Sequence, residues 1–362
     1  MIPMVDLKVQ YHNLKAEVDT ALLDVLENTH FILGPNVQAF EKEAAENLGI
    51  KHALSCASGT DALHLALLAA GIGEGDEVIT STFTFIATAE AIRYVGAIPV
   101  FIDIDPKTFN LDPNLIEHAI NKKTKAILPV HIFGQPADMD AIMSLASKHN
   151  LLVIEDCAQS YGAKIKDQVT GGIGLAGCHS FFPSKNLGCY GDGGMVTTND
   201  DNIAEQIRIY RNHGSNKRYH HDVIGYNSRL DEVQAAILRI KLRNIDQYNQ
   251  NRYDAAQKYS EALKDVMIPP FEDKIGNHVY HQYTLLSPKR DKVMEKLQAI
   301  DIGCAVYYPI PLHKQNVFIN DYKDISLPVS ERVASECMSL PIFPEITDQQ
   351  IELITTTIKS AF

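Results

Sequence analysis

From Gly71 to Cys157 the chain repeats one pattern, a short apolar run followed by a stretch long enough for a helix. The runs are VIT at 78–80, IPVFIDI at 98–104, KAILPVHI at 125–132 and LLVIEDC at 151–157. Apolar runs of strand length, separated by helical stretches, predict βαβ units and a mostly parallel sheet flanked by helices, an α/β fold. The glycines of GIGEGDEVI at 71–79 precede a strand instead of following one, which excludes a dinucleotide-binding turn.

Residues 13–30 read as an amphipathic helix with Leu14, Val18, Leu22, Val25 and Leu26 on one face. Gly34 and Pro35 break it, and a second helical segment covers Val37–Leu48. The run ALSC at 53–56 then ends in small residues, and a helix rich in Ala and Leu starts near Asp61. Beyond Gly194, MVTT leads into another helix and a polar, His-rich loop, and a long helical segment follows from about Asp231 to Leu263. Composition changes at MIPPFED, 267–273. The strand-like HQYTLLS, helix-like KVMEKLQAI, strand-like CAVYYPI and a last helix from Thr347 suggest a smaller α+β domain. The expected division is a large domain over 1–245 and a small one over 246–362.

With 45% hydrophobic and 22% charged residues the chain is globular, not disordered. A net charge of −12 argues against a general nucleic-acid binder, so any anionic ligand must meet local positive charge. Six cysteines without a C-x-x-C pair suggest reduced thiols in the cytoplasm. The opening MIPMVDLKVQYHN does not read as a signal peptide, and no apolar run approaches the roughly 18 residues of a membrane span.

The chemistry converges on three places. In CHSFFPSKNLGCYGDGG, 178–194, Lys185 stands between an aromatic, proline-bounded run and a block of glycines, the setting of a candidate nucleophile. Asp156 ends the apolar run LLVIE, which puts a carboxylate at the carboxyl end of a buried strand, where α/β sheets bind ligands. Gln159 follows three residues later and can face the same space. Ser58, Gly59 and Thr60 open a helix, and its free amides suit either a capping box with Asp61 or a phosphate. A lysine for a Schiff base, a carboxylate for a pyridinium nitrogen and a phosphate cup are what pyridoxal 5'-phosphate requires. Phe83 in STFTF reads either as a ring-stacking residue or as a core aromatic. His213, His220 and His221 match no zinc spacing, and no metal is expected.

These segments carry a resemblance. DCAQS at 156–160, SFFPSKNLGCYGDGG at 180–194, ASGTDAL at 57–63 and GYNSRLDEVQAAIL at 225–238 closely resemble the DegT/DnrJ/EryC1/StrS sugar aminotransferase family. FILGP at 31–35 and YYPIPLH at 307–313 fit the same pattern. The resemblance implies a fold-type I pyridoxal-phosphate enzyme, a homodimer with shared active sites and L-glutamate as amino donor. It makes Lys185 the Schiff-base lysine and Asp156 the partner of the ring nitrogen, with Gln159 against the phenolic oxygen. Phosphate would be held by Gly59, Thr60 and Ser180, joined by Asn227 of the neighbouring subunit. Lysine, where some members carry histidine and act as dehydratases, points to transamination.

GCYGDGG, RYHH at 218–221, NSRLD and YYPIPLHKQ look most like enzymes that aminate C3 of UDP-2-acetamido-2-deoxy-3-oxo-D-glucuronate, a step toward bacterial surface polysaccharide such as O-antigen. Arg229 suits the uronate carboxylate, or equally a salt bridge between subunits. Tyr308 and His313 are further candidates for substrate contact. Asn186 stands where proline can occur in that subgroup, and Tyr307 where histidine can. Alternative substrates are a dTDP-3-keto-6-deoxyhexose and a UDP-4-keto sugar. A reading of another class is a non-catalytic sensor or scaffold on the same fold.

Overall fold

The computed structural model describes residues 1–217 and 219–362; Arg218, the first residue of the RYHH motif, lies outside them. Two helices, α1 (Leu7–Asn28) and α2 (Pro35–Leu48), lead into β1 (His52–Cys56) and α3 (Gly59–Ala69). The alternating region gives β2 (Glu77–Ser81), α4 (Ala87–Tyr94), β3 (Ile98–Ile102), α5 (Pro113–Ala119), β4 (Thr124–Leu128), α6 (Met139–His149) and β5 (Leu152–Asp156). A small hairpin, β6 (Lys164–Ile165) and β7 (Gln168–Val169), precedes β8 (Ala176–Ser180), β9 (Gly194–Thr198) and α7 (Asp201–Tyr210). The remainder is α8 (Glu232–Leu242), α9 (Ile245–Leu263), β10 (Tyr283–Leu286), α10 (Arg290–Gln298), α11 (Pro328–Glu336), β11 (Cys337–Leu340) and α12 (Asp348–Lys359).

The main sheet has seven strands in the order β1-β9-β8-β5-β4-β2-β3. Neighbours from β8 to β3 pair in parallel, while β9 runs antiparallel to both β1 and β8. The predicted mostly parallel sheet is therefore present, with one reversed strand. That reversal is set by the short return from β8 through the lysine loop, since antiparallel neighbours need no crossover helix. On one face of the sheet α3 and α7 pack against β1, β5 and β9 through Leu54, Leu63, Ala66, Ile154, Val196 and Ile207. On the other, Ile79, Ile127 and Val153 meet Ile116 of α5 and Ile142 of α6.

Four sequence expectations need revision. The first helix starts at Leu7, not near residue 13, because Asp6 caps it by accepting from the N–H groups of Lys8 and Val9. Its inner face is Leu14, Val18 and Val25, packed on Ile237 and Ile240 of α8, whereas Leu26 is exposed. The long helix expected over 231–263 is two helices. It breaks at Arg243–Asn244, where the Asn244 amide donates back to the Ile240 carbonyl and competes with the backbone. CAVYYPI forms no strand; only Ala305 bridges, to Ser339 of β11, and the rest turns toward the sheet end. The strand β11 and helix α11, which the sequence reading missed, take its place beside β10.

A separate core joins α9, β10, α10, β11 and α12 through Tyr259, Leu263, Tyr283, Leu285, Leu297 and Ile354. Ile2 belongs to it, held by backbone bonds to Asp301 and Gly303, so the amino-terminal tip crosses to the carboxyl-terminal core.

Close packing at the sheet end is most severe at Gly194, where a Cβ would stand 2.1 Å from the Ser58 carbonyl oxygen. Because that contact is backbone, it cannot be relieved by a rotamer change. Replacing Gly194 with Ala should destabilise the protein by roughly 1–3 kcal/mol, read as a lowered denaturant midpoint with an unchanged slope.

Candidate active site

The strands β1, β8 and β5 run in the same direction and end at one edge of the sheet, and the chain at each end carries a polar group into one cavity of about 560 Å³. Ser58, Gly59 and Thr60 follow β1, Ser180 closes β8, and Asp156 closes β5. This is where open α/β sheets place ligands. The opposite wall comes from the carboxyl-terminal half: His281 and Gln282 before β10, and Tyr307 and Tyr308 from the segment that is not a strand.

The α3 terminus is capped by a side chain and still offers free amides. Ser58 caps the helix, its Oγ accepting from the Asp61 N–H at 3.0 Å, and its carbonyl accepts from Ala62. Those bonds leave the N–H groups of Gly59 and Thr60 without a backbone acceptor among the described residues, facing the cavity. Two free amides at the positive end of a helix favour an anion. Gly59 brings Ser180 close: a Cβ there would lie 2.5 Å from that of Ser180. Asp61 does not complete the capping box; its Oδ2 accepts from Ser228 Oγ at 2.8 Å, which seats the 225–231 loop beside the anion site.

Asp156 is buried and held on both oxygens. Oδ1 accepts from the Ala158 N–H at 3.1 Å and Oδ2 from Thr88 Oγ1 of α4 at 2.8 Å. Burial raises its pKa, while those two donors and the charge of Lys185 work against the rise. Thr88 was not expected, because nothing in its own segment marks it. Lys185 lies half-buried on the cavity wall, and its side chain makes no hydrogen bond among the described residues. Loss of solvent lowers its amine to about 8, against the opposing pull of Asp156. Gln159 has its amide orientation fixed: Oε1 accepts from the Phe133 N–H at 2.7 Å, so Nε2 is the group presented, donating to the Tyr308 hydroxyl at 3.0 Å. Burial holds the Tyr308 phenol protonated, its pKa raised.

The structure gathers Ser58, Gly59, Thr60, Asp156, Gln159, Ser180, Lys185 and Tyr308 around the cavity; four other candidates lie elsewhere. Phe83 is fully buried among Phe109, Phe133 and Tyr308, the core alternative, and Phe85 lines the cavity in its stead. The two differ because the chain bends over residues 82–84, so positions two apart no longer share a side. His313 is buried between Thr82 and Glu331, at 2.8 and 3.2 Å, and does not reach the cavity. Asn227 is exposed on its loop, and Arg229 beside it donates to Asn212 at 3.2 Å; neither lines this chain's own cavity. His213, His220 and His221 are exposed, with His221 Nδ1 bonded to the His213 carbonyl. His131, Glu155 and Cys157 come together nearby, but Glu155 already accepts from His131, Gly171, Ile173 and Gly174, and His131 Nδ1 accepts from Ala137. That group is a satisfied core network.

An anion cup, a buried carboxylate and a depressed lysine on one sheet end, over a fold-type I framework, define a pyridoxal-phosphate-dependent aminotransferase. The chain belongs to the DegT/DnrJ/EryC1/StrS aminotransferase family, whose model matches residues 12–359. It is 51% identical over 359 residues to the UDP-N-acetyl-3-dehydro-alpha-D-glucosamine 3-aminotransferase of Acidithiobacillus ferrooxidans, covering 99% of this chain and 97% of the relative. It is 49% identical to the "pleiotropic regulatory protein" of Geobacillus stearothermophilus, with 99% and 97% covered. Identity is 46% to the UDP-2-acetamido-2-deoxy-3-oxo-D-glucuronate aminotransferase of Pseudomonas aeruginosa, with 98% of each covered. Among solved structures, Streptomyces venezuelae DesV in complex with a ketimine intermediate superposes with a TM-score of 0.97 at 40% identity, covering 99% and 98%.

The amine of Lys185 sets a pH dependence. Below about 8 it is mostly ammonium and cannot attack an aldehyde; above, it is mostly free. Covalent capture of pyridoxal phosphate by the cofactor-free protein should therefore accelerate as pH rises through about 8 and then level off, followed by absorbance. A midpoint near the ordinary lysine value would show that burial does not act on this amine.

Proposed function

We propose that this aminotransferase moves the amino group of L-glutamate to C3 of UDP-2-acetamido-2-deoxy-3-oxo-D-glucuronate, supplying an amino sugar for surface polysaccharide. Arg229, which lies outside its own chain's cavity beside Asn227 and would reach the cavity of a second copy, carries the uronate reading. Its Nε is buried without a partner, its Nη1 meets only the neutral Asn212 amide, and no carboxylate of this chain pairs with it among the described residues. A guanidinium left uncompensated fits a bidentate carboxylate. The same group would be idle with a neutral C6, which is the second reading and is favoured by the name of the Acidithiobacillus relative.

In this reading the bound cofactor supplies an electron sink and carries the amino group between donor and acceptor. Lys185 holds and returns the proton at the reacting carbon, a role suited to an amine whose pKa is near 8. Asp156 would pair with the ring nitrogen, its carboxylate oriented by the donors Thr88 and Ala158, which oppose the rise in pKa that burial causes. Gln159, whose Nε2 is the group presented to the cavity, would offer an N–H to the phenolic oxygen, and Gly59, Thr60 and Ser180 would hold the phosphate. Phe85 and Tyr308 wall the cavity and limit water.

Asn227 would act on the cavity of a second copy, which implies a homodimer with shared sites. Its exposure outside its own cavity supports this, as do exposed apolar side chains such as Ile224, 88% accessible on the same loop. We also divide the chain near Arg243–Asn244, since the separate core begins with α9. Six free cysteines accord with a reducing cytoplasm, and no helix among the described residues is long and apolar enough to cross a membrane. A purely regulatory protein, as the Geobacillus relative is named, has no need of the complete Lys185–Asp156 arrangement.

Incubation with glutamate and a panel of UDP- and dTDP-linked keto sugars, read by mass spectrometry, should show amination of the uronate first. Arg229→Ala should lower uronate turnover about tenfold or more relative to the neutral 3-keto-glucosamine, as loss of charge-assisted bonds predicts. An unchanged preference would assign the neutral sugar. Lys185→Ala should fold normally and lose all turnover.

A further inference from the structure

Asn186, next to Lys185, is 5% exposed, and its amide points away from the cavity. Its two Nδ2 hydrogens are both used: one goes to Asn249 Oδ1 in α9 at 2.7 Å, the other to the Val279 carbonyl at 2.9 Å. Asn249 in turn donates from Nδ2 to the Tyr161 carbonyl at 3.0 Å. Tyr161 follows the turn that carries Asp156 and Gln159, and Val279 precedes His281 on the opposite wall. Two buried amides thus tie three cavity walls to one helix. There is little room for alternatives, since a Cβ at Gly162 would lie 2.9 Å from Asn249 Nδ2.

The backbone does not require asparagine at this position. The turn is closed by the Lys185 N–H donating to Phe182, and the Asn186 N–H enters no backbone bond among the described residues. The side chain also leaves its own Oδ1 buried without a partner. An unpaired polar atom in the interior is a cost, set here against the two buried bonds that Nδ2 makes. The Lys185 side chain makes no hydrogen bond among the described residues, so the place of its amine is set by the loop that carries it.

We propose that Asn186, acting with Asn249, is a positioning residue for Lys185, fixing its distance from the Asp156–Gln159 turn and from the His281 wall. The proposal rests on Lys185 being the cofactor-binding lysine. Without the tie, the lysine loop loosens and water reaches the amine. The titratable groups lining the cavity with that amine are Asp156 from β5, His281 from the segment before β10, Asp192 from the lysine loop itself, and Tyr307 and Tyr308, whose phenols burial keeps protonated. His281 is kept neutral by burial and by the cations of Lys185 and Arg252, so it does not restore the balance.

The test uses Asn186→Ala and Asn249→Ala in the full-length protein, with Lys185→Ala as control. Pyridoxal phosphate is the probe, and folding is checked by circular dichroism. For both asparagine variants the midpoint for covalent cofactor capture should move from about 8 toward the ordinary lysine value of 10.5. Their kcat should fall on the order of tenfold to a hundredfold, as a small misplacement of a reacting group predicts, while the glutamate KM changes less than about threefold. A merely structural tie would lower thermal stability and leave midpoint and kcat as in the wild type; that result overturns the proposal. If Asn186→Ala does not fold, Asn249→Ala, which removes one of its two bonds, decides alone. Equal borohydride-stable cofactor retention in wild type and Lys185→Ala would instead overturn the assignment of Lys185, whatever the asparagine variants do.

Discussion

Two adjacent carboxylates at the end of β5 hold this molecule's chemistry in place. Side chains on a strand alternate between faces, so Glu155 and Asp156 point apart. Glu155 turns into the core, where burial alone would raise its pKa, but the bond from His131 and the N–H groups of Gly171 and Gly174 more than offset that and keep it ionised. Asp156 turns to the cavity with two donors and faces an amine. An ionised group taken out of water is costly unless every lone pair is answered. The inner carboxylate therefore recruits the 171–174 turn and His131, and that recruitment fixes the strand end from which the outer one reaches the ligand.

The anion cup shows how a modest local rule acquires a function. Ser58 is an ordinary helix cap, and ordinary caps leave two amides free. Here β1 delivers those two amides to the same edge as Asp156, and Gly59 lets Ser180 approach within the space that a side chain would otherwise fill. Capping and anion binding draw on different N–H groups of one helix turn, so neither weakens the other.

Much of this was legible in the sequence. The apolar runs marked β2, β3 and β5 within a residue or two and ran four residues past the end of β4, and DCAQS and SFFPSKN placed Asp156, Gln159 and Lys185 on one edge. What escaped depended on tertiary partners. Thr88 looks like any helical threonine until the fold sets it 2.8 Å from Asp156. Phe83 and Phe85 are indistinguishable by type, and only the direction of the chain leaving β2 sends one to the core and the other to the cavity. His313 reads as a polar ligand group, yet its two nitrogens are engaged by Thr82 and Glu331. CAVYYPI has strand composition, but β10 takes β11 as its partner, which leaves this segment free to form a wall.

The antiparallel pairing of β8 with β9 has a consequence for how such an enzyme changes over time. Ser180 and Gly194 face each other across the ladder, so the lysine loop is closed at its base. Asn186 and Lys241, which donates to the Gly188 carbonyl at 2.7 Å, secure its middle. None of these bonds involves the reactive side chain. The scaffold is indifferent to what residue 185 is, so a single exchange there can retire one chemistry and admit another while the surrounding architecture is inherited intact.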